Sequence, residues 1–393
     1  MTAKILKNVR PMGAELSDLA IVDGRFAADA PEGADLIDCG GHILIPGLVE
    51  AHTHLDKSLL GLAWYSNAVG PNLMDKIDNE RAVKTTLGLD PQVQSERQAI
   101  LSISHGTTHI RSHVDVDTQH GLAGVEGIMA TREKLAGLVD IELVAFPQSG
   151  MMIRPGTLAL MDAALSMGVE VVGGLDPCGI ERDPKGHLDA IFDLADKHGK
   201  PIDIHLHETD TMGGFSTEEI IARTKALGMQ GKVTISHAFC LGAMDRAYVA
   251  GLQDLLAENG IHIITTAPAF APVPAVRELK ALGILTGAGS DGLRDTWGPY
   301  GNADMLDRAR IVGQRNNLRR DAEVELALDI CTFGGAAIME IAHYGLAVGD
   351  TADCVLVAGE TLAEVVAQPA PRKLVLKGGR VTARDGRCVL DAP

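Results

Sequence analysis

The sequence predicts an α/β fold: a closed (β/α)8 barrel of the TIM type carrying a small β-sandwich domain built from both termini. Three observations predict it. From about residue 43 onward, eight apolar β-type runs alternate with helical stretches, the order that parallel strands with crossover helices produce. Short strand patterns with glycine turns stand at both ends of the chain. Metal-binding and titratable side chains collect where the runs end, and in a parallel barrel those ends share one rim.

The elements follow in order. Residues 1 to 45 contain "LSDLAIVDGRF", a strand, a glycine turn and a second strand. They are expected to join residues 346 to 393, with "TADCVLVAG" and "KLVLKGGRVTARDGRCVL", in the small β domain. Residues 46 to 345 then form the barrel. Its runs are "HILIPGLVEAH", "GTTHIRSHVDV", "DIELVAF", "GVEVVGGL", "PIDIHLH", "KVTISH", "IHIITT" and "ILTGAGS". Helices such as "DPQVQSERQAILSIS" and "STEEIIARTKALG" lie between them. The insert "GLAWYSNAVGPNLMDK" after the first run is aromatic, then punctuated by glycine and proline, which suits a mobile lid.

Composition excludes several function classes. A chain of 393 residues with 46% hydrophobic residues can bury a large core, since single α/β barrels take about 250 residues. A net charge of −17 with no basic block argues against nucleic-acid and anionic-membrane partners, because both need clustered Lys and Arg. The opening "MTAKILKNVR" lacks a signal-peptide core, and no apolar run approaches the roughly 18 residues that span a bilayer. A cytoplasmic protein acting on a small molecule is expected. Six cysteines without a Cys-x-x-Cys pair fit reduced, packed thiols.

"GLVEAHTHLDKS" sets His52 and His54 one residue apart at the end of the first run. Side chains at i and i+2 of a strand point the same way, so both imidazoles can reach one ion. An isolated pair would equally suit two hydrogen-bonded residues closing a strand. Partners elsewhere decide: the fifth run ends in His205, His207 and Glu208, the sixth in His237, and Asp291 follows the eighth. His52, His54, His205 and Asp291 make a nitrogen-rich, oxygen-completed set suited to one divalent ion, zinc or ferrous iron. His113 at the end of the second run suits a pocket or an ordinary structural role equally. His42, His187, His198, His262 and His343 fall away from run ends and read as structural. Asp56 and Lys57 read as a local ion pair.

The His-x-His pair, the later His, "SHA" and "SDG" resemble the amidohydrolase superfamily. "HTHLDKS", "RSHVDVD", "AFPQSG", "VVGGLDP", "SHAFC" and "RDTWGPYGNADM" are similar to the group of cytosine deaminases and N-isopropylammelide amidohydrolases. The resemblance implies a metal-dependent barrel enzyme and a homo-oligomer. Binuclear members place a lysine near the end of the fourth strand, and "VEVVGGLDPCG" has none, which implies a mononuclear site. No Pro-Cys-x-x-Cys segment of the nucleic-acid cytidine deaminases is present.

The same resemblance implies roles. Glu208 matches a proton-shuttling glutamate, although the preceding His207 competes for that task. His237 would polarise the attacking water or the adduct, and Asp291 would bind metal and accept the water's proton. Gln148 would pair with a ring carbonyl and the adjacent N–H, and Trp297 would wall the pocket. The cytosine deaminases carry a second aspartate where Gly292 stands, so Gly292 is expected to open room for a substituted ring. The expected activity is deamination of cytosine or a 5-substituted cytosine such as 5-methylcytosine, with release of ammonia. The alternatives are hydrolysis of an N-alkylamino-triazine or of another cyclic amidine such as creatinine, and a non-catalytic scaffold of the same fold.

Overall fold

The computed structural model describes residues 2–242 and 245–393. The first five strands are β1 (Ala3–Pro11), β2 (Ser17–Val22), β3 (Arg25–Ala27), β4 (Asp35–Asp38) and β5 (Ile43–Pro46). The barrel strands are β6 (Leu48–Thr53), β7 (Thr107–Asp115), β8 (Asp140–Phe146), β9 (Val171–Leu175), β10 (Ile202–His205), β11 (Val233–Ser236), β12 (His262–Thr265) and β13 (Thr286–Ala288). Each of the eight coincides with one of the apolar runs, and each pairs in parallel with the next from β6 to β13. Parallel strands covered on both faces should read as continuous apolar runs rather than alternating ones. Leu48, Ile110, Leu143, Val172, Ile204, Ile235 and Ile263 accordingly enter one buried core.

The chain ends contribute β14 (Cys354–Val357), β15 (Arg372–Lys377), β16 (Arg380–Arg384) and β17 (Arg387–Cys388). These join β1 to β5 in a nine-stranded sheet in which β14 pairs antiparallel with β5. The sandwich character comes from a bend in β1. Its pairing with β2 slips between Leu6 and Val9, where Asn8 adopts a left-handed φ of 54°. One end of β1 therefore pairs with β2 and β4, and the other with β5. Leu6, Val9, Ile21 and Phe26 meet Leu44, Cys354, Leu356, Leu374 and Leu376 between the two halves.

Helices α1 (Leu73–Leu87) and α2 (Pro91–Ser104) follow β6, and α3 (Ala123–Lys134) follows β7. Next come α4 (Thr157–Ser166), α5 (Pro184–His198), α6 (Asp210–Ala226), α7 (Arg246–Glu258), α8 (Val276–Ala281) and α9 (Met305–Arg315). Two differences from expectation have physical causes. The insert after β6 runs into α1, whose only buried residues are Ile77 and Glu80, so hydrophobic periodicity could not mark it. Helix α6 begins at Asp210, ahead of the expected "STEE" start, and takes in Gly213 and Gly214. A Cβ at Gly213 would stand 2.2 Å from the Glu208 carbonyl oxygen, so a glycine that looks like a loop signal serves close packing. No helix among the described residues is long and apolar enough to cross a membrane.

Candidate active site

The rim is built from strand ends. His52 is the penultimate residue of β6 and His205 closes β10, while His54 and His237 follow β6 and β11 directly. The ring of His52 lies 4.5 Å from that of His205 and 4.9 Å from that of His237, centroid to centroid. One donor atom each from His52, His54, His205 and Asp291 lies within 4.8 Å of the others. The structure therefore brings the four expected ligands together.

The hydrogen bonds around them fix which nitrogen is free. His54 Nδ1 sits 3.1 Å from the His113 carbonyl oxygen; a carbonyl can only accept, so Nδ1 carries the proton and Nε2 its lone pair. His52 Nδ1 is 2.9 Å from Ser236 Oγ, whose own proton goes to Asp203 Oδ1 at 2.6 Å. Nδ1 is again the donor. Asp203 is held in turn by Arg111 Nη1 at 3.1 Å. His52 Nε2 and both ring nitrogens of His205 are buried without a hydrogen-bond partner among the described residues. Orphaned buried nitrogens are costly, and a cation satisfies lone pairs that converge in this way. Burial lowers the pKa of His54 to about 4 and that of His205 well below the ordinary histidine value, which keeps the imidazoles neutral, as ligation requires. The Asp291 carboxyl is raised by burial, but contact with His52 and His54 at 3.7 and 3.3 Å outweighs this and holds it well below the carboxylate range. The residues present fit a divalent ion.

His237 sits at a φ of 71°, with Nδ1 3.3 Å from Thr266 Oγ1 and Nε2 unpartnered among the described residues. His207 stacks on it at 4.4 Å, and its Nδ1 is 2.7 Å from Asp176 Oδ2. Burial disfavours the His207 imidazolium, yet Asp176 more than compensates and its pKa is raised. Glu208 is differently engaged. Its Oε1 accepts from the backbone N–H groups of Cys178 and Gly179 at 2.8 and 2.6 Å, and its Oε2 accepts from Ser216 Oγ. Burial raises its pKa against these bonds. Both carboxylate oxygens of the expected proton shuttle are thus taken, while His207 keeps one ring nitrogen outside its bond to Asp176.

Three expectations need correction. Lys57 is not paired locally with Asp56: its buried ammonium donates to Asp115 Oδ1 at 3.1 Å, to Glu80 Oε1 at 3.4 Å and to Gln148 Oε1. An ammonium can only donate, so one lone pair of the Gln148 oxygen is taken and its amide N–H groups are the polar groups left wholly free for a ring. The acceptor half of the expected pairing with a ring carbonyl and an adjacent N–H is therefore shared with Lys57. Gly292, finally, opens no room. A Cβ there would fall 2.0 Å from Asp295 Oδ2, because the Asp295 carboxylate fills the space and accepts from Trp297 N at 2.8 Å and Gly298 N at 3.0 Å.

Trp297 donates through Nε1 to Glu80 and packs beside Phe146, Ile77, Leu175 and Ile180. Phe146 stacks on His205 at 3.9 Å. His113 is fully buried, its ring 4.0 Å from that of His52. His187 is structural, with Nδ1 2.9 Å from Glu181 and Nε2 accepting from Leu175 N. Sequence reasoning missed Asp176, Asp203, Ser236 and Asp295. Each lies inside a segment already singled out, and Asp203, Ser236 and Asp295 stand one or two residues from a noted one, but single carboxylates and hydroxyls carry no pattern of their own.

The sequence model described as "Amidohydrolase family" matches residues 35–389. The chain is 32% identical to the N-isopropylammelide isopropyl amidohydrolase of Pseudomonas sp. (strain ADP) over 358 residues, covering 89% of this chain and 88% of that protein. It is similar to the crystal structure of N-isopropylammelide isopropylaminohydrolase from Burkholderia multivorans ATCC 17616, with a TM-score of 0.96 and 46% identity over 99% of this chain and 100% of that one. It is also similar to the 5-methylcytosine deaminase of Klebsiella pneumoniae liganded with 5-fluorocytosine, with a TM-score of 0.85 and 27% identity over 100% of this chain and 99% of that one.

Proposed function

We propose an activity from one premise: the chain belongs to the amidohydrolase family and is a hydrolase acting on C–N bonds of heterocycles. The reaction is hydrolysis of an exocyclic alkylamino group from an oxo-substituted triazine of the isopropylammelide kind. The observation that carries it is His207, aligned by Asp176 and stacked on His237 while Glu208 is engaged elsewhere. A basic alkylamine leaves only with a proton on its nitrogen, and an imidazole oriented by a carboxylate is a fitting donor. The likeness to two proteins named for isopropylammelide supports the same choice.

His52, His54, His205 and Asp291 would hold a single zinc or ferrous ion, which supplies the Lewis acidity that makes water a nucleophile near neutral pH. Asp291 takes a proton from the attacking water. His237, through its unpartnered Nε2, steadies the oxygen that becomes the new oxo group. Gln148 donates its amide N–H to a ring acceptor and fixes the ring's orientation. His207 delivers a proton to the departing nitrogen as the C–N bond breaks. Water oxygen stays on the ring carbon, one water proton ends on the amine and the other on the ring product.

A second reading, deamination of 5-methylcytosine, is favoured by the carboxylate of Glu208 directly after the His205 to His207 segment and by the likeness to the Klebsiella enzyme. Release of isopropylamine or ammonia by the metal-loaded protein decides between them over N-isopropylammelide, cytosine, 5-methylcytosine and creatinine. The expected result is alkylamine release with a kcat/KM at least about tenfold above any ammonia release, a margin that one well-fitted alkyl group supplies. Faster ammonia release from 5-methylcytosine would establish the second reading instead, and inertness toward all four would remove both.

A further inference from the structure

We propose that Glu50 is a positioning residue: with Arg308 it clamps Ser290 across the barrel seam and so holds Asp291 in ligating position. The inference rests on the metal reading of the site. The hydrogen-bonded ladder of the barrel runs from β6 to β13, and the seam between β13 and β6 carries a single isolated bridge, Thr53 to Asp291. Strand β13 ends at Ala288, so Asp291 lies beyond its last ladder bond. Asp291 also adopts a φ of 63°, a left-handed conformation disfavoured for a non-glycine residue. Such a conformation persists only where the surroundings over-determine it.

The surroundings do so through Glu50. This residue is two positions before His52 on β6, whose pairing with β7 shifts register between Glu50 and Thr53, and it is only 2% exposed. Its Oε1 accepts from Ser290 N at 2.8 Å and from His52 N at 3.4 Å, and its Oε2 accepts from Ser290 Oγ. Arg308, from α9, takes the other side of the same residue: Nη2 donates to Ser290 O at 3.0 Å and Nη1 to Thr266 O. Two further bonds then seat the ligand, Asp291 N to His52 O at 2.9 Å and Thr53 Oγ1 to Asp291 O at 2.9 Å. Gly289 permits the approach, since a Cβ there would stand 2.3 Å from the His52 carbonyl oxygen. One carboxylate thus joins the two segments that bear ligands. A buried carboxylate is an expensive way to fill space, whereas a side chain of this length with two polar atoms at its tip can hold both polar groups of Ser290.

The test uses the full-length protein stripped with a chelator and titrated with Co2+, following visible absorption as a report on the ligand set. Glu50→Ala is expected to weaken Co2+ binding by about 10- to 100-fold, the usual cost of losing a group that orients a ligand. It should also change the visible bands while leaving the far-UV spectrum and the melting temperature of the metal-free protein near wild type. Glu50→Gln should restore affinity and spectrum, because its amide oxygen still accepts from Ser290 N and its NH2 can donate to Ser290 Oγ. Wild-type binding and spectrum in Glu50→Ala would overturn the proposal. So would a Glu50→Gln protein as weak as Glu50→Ala, since charge rather than the clamp would then be at work. If Glu50→Ala does not fold, Ser290→Ala decides: loss of the Oγ bond alone should weaken Co2+ by several-fold, and an unchanged constant would count against the clamp. Failure of wild type itself to bind Co2+ would remove the metal reading, a result distinct from all of these.

Discussion

Gln148 shows how one neighbour decides what a residue can read. With one lone pair of its oxygen held by Lys57, its N–H groups are what it offers a ring most freely. Gln148→Glu keeps an acceptor for Lys57 and removes both donors. It is expected to lower kcat/KM by roughly 10- to 200-fold on oxo-substituted rings, the range for one mismatched contact in a specificity pocket, with metal content unchanged. Steady-state kinetics check it: an unaltered kcat/KM would turn the amide round, oxygen toward the ring. Gly292 yields a second prediction. Adding a Cβ forces Asp295 from the N–H groups of Trp297 and Gly298, so Gly292→Ala should cost about 1–3 kcal/mol of stability, as overpacking does. It should impair every substrate alike. A selective loss on methylated rings, seen as a changed ratio of kcat/KM values, would restore the open-space reading. At this scale the sequence reveals residues whose type and spacing are rare together, such as His52, His54 and His205. It conceals those whose effect depends on a partner from another strand, such as Lys57 on Gln148 and Asp295 beside Gly292.

Helix α1 is an element held by charge more than by apolar burial. Arg81 pairs with Asp117 and donates to Ser149 Oγ at 2.7 Å, while Lys84 meets Asp115 and lies 3.2 Å from Glu80. Lys57 and Trp297 reach Glu80 from beneath. The stretch where a mobile lid is expected, residues 61–76, runs into the first turn of this helix, and the polar anchors just beyond it are what a lid that must release can use. The Arg81–Asp117 pair is partly buried, so removing Arg81 should cost less than breaking a fully buried pair, about 3–5 kcal/mol, and more than breaking an exposed one, about 1 kcal/mol, borne by one helix rather than by the whole fold. Arg81→Met should therefore speed proteolytic cleavage between residues 61 and 90 and raise KM while the metal content stays constant. Cleavage at the wild-type rate would show that α1 is anchored by its packing on Phe146 and Ile180 instead. The eight strands were legible because burial on both faces writes itself as apolar runs. α1 was not, because ion pairs with distant strands leave no periodicity.

For the whole molecule, the division of labour between core and rim sets what metal removal should do. The large barrel core is assembled from aliphatic side chains, and His52, His54 and His205 stand at or just beyond strand ends. The small β domain grips the barrel from the other side: Lys377 bonds Asp140 Oδ2 at 2.6 Å, and Arg372 Nε donates to the His105 carbonyl at 2.9 Å. Neither set of contacts includes a metal ligand. Small metal-organised domains unfold without their ion because they have no other core, and a chain of 393 residues with this burial is in a different regime. Chelation is therefore expected to abolish turnover and leave the far-UV spectrum intact. The folded state should lose only the linkage term, about 2.7 kcal/mol when free metal had stood at 100 times its Kd. For a chain of this size that corresponds to a fall in Tm of roughly a few degrees, reversed together with activity on adding zinc or ferrous iron. Collapse of the far-UV signal on chelation would mean that the imidazoles of β6 and β10 cannot face one another without a cation, and that the ion is part of the barrel's closure as well as its chemistry.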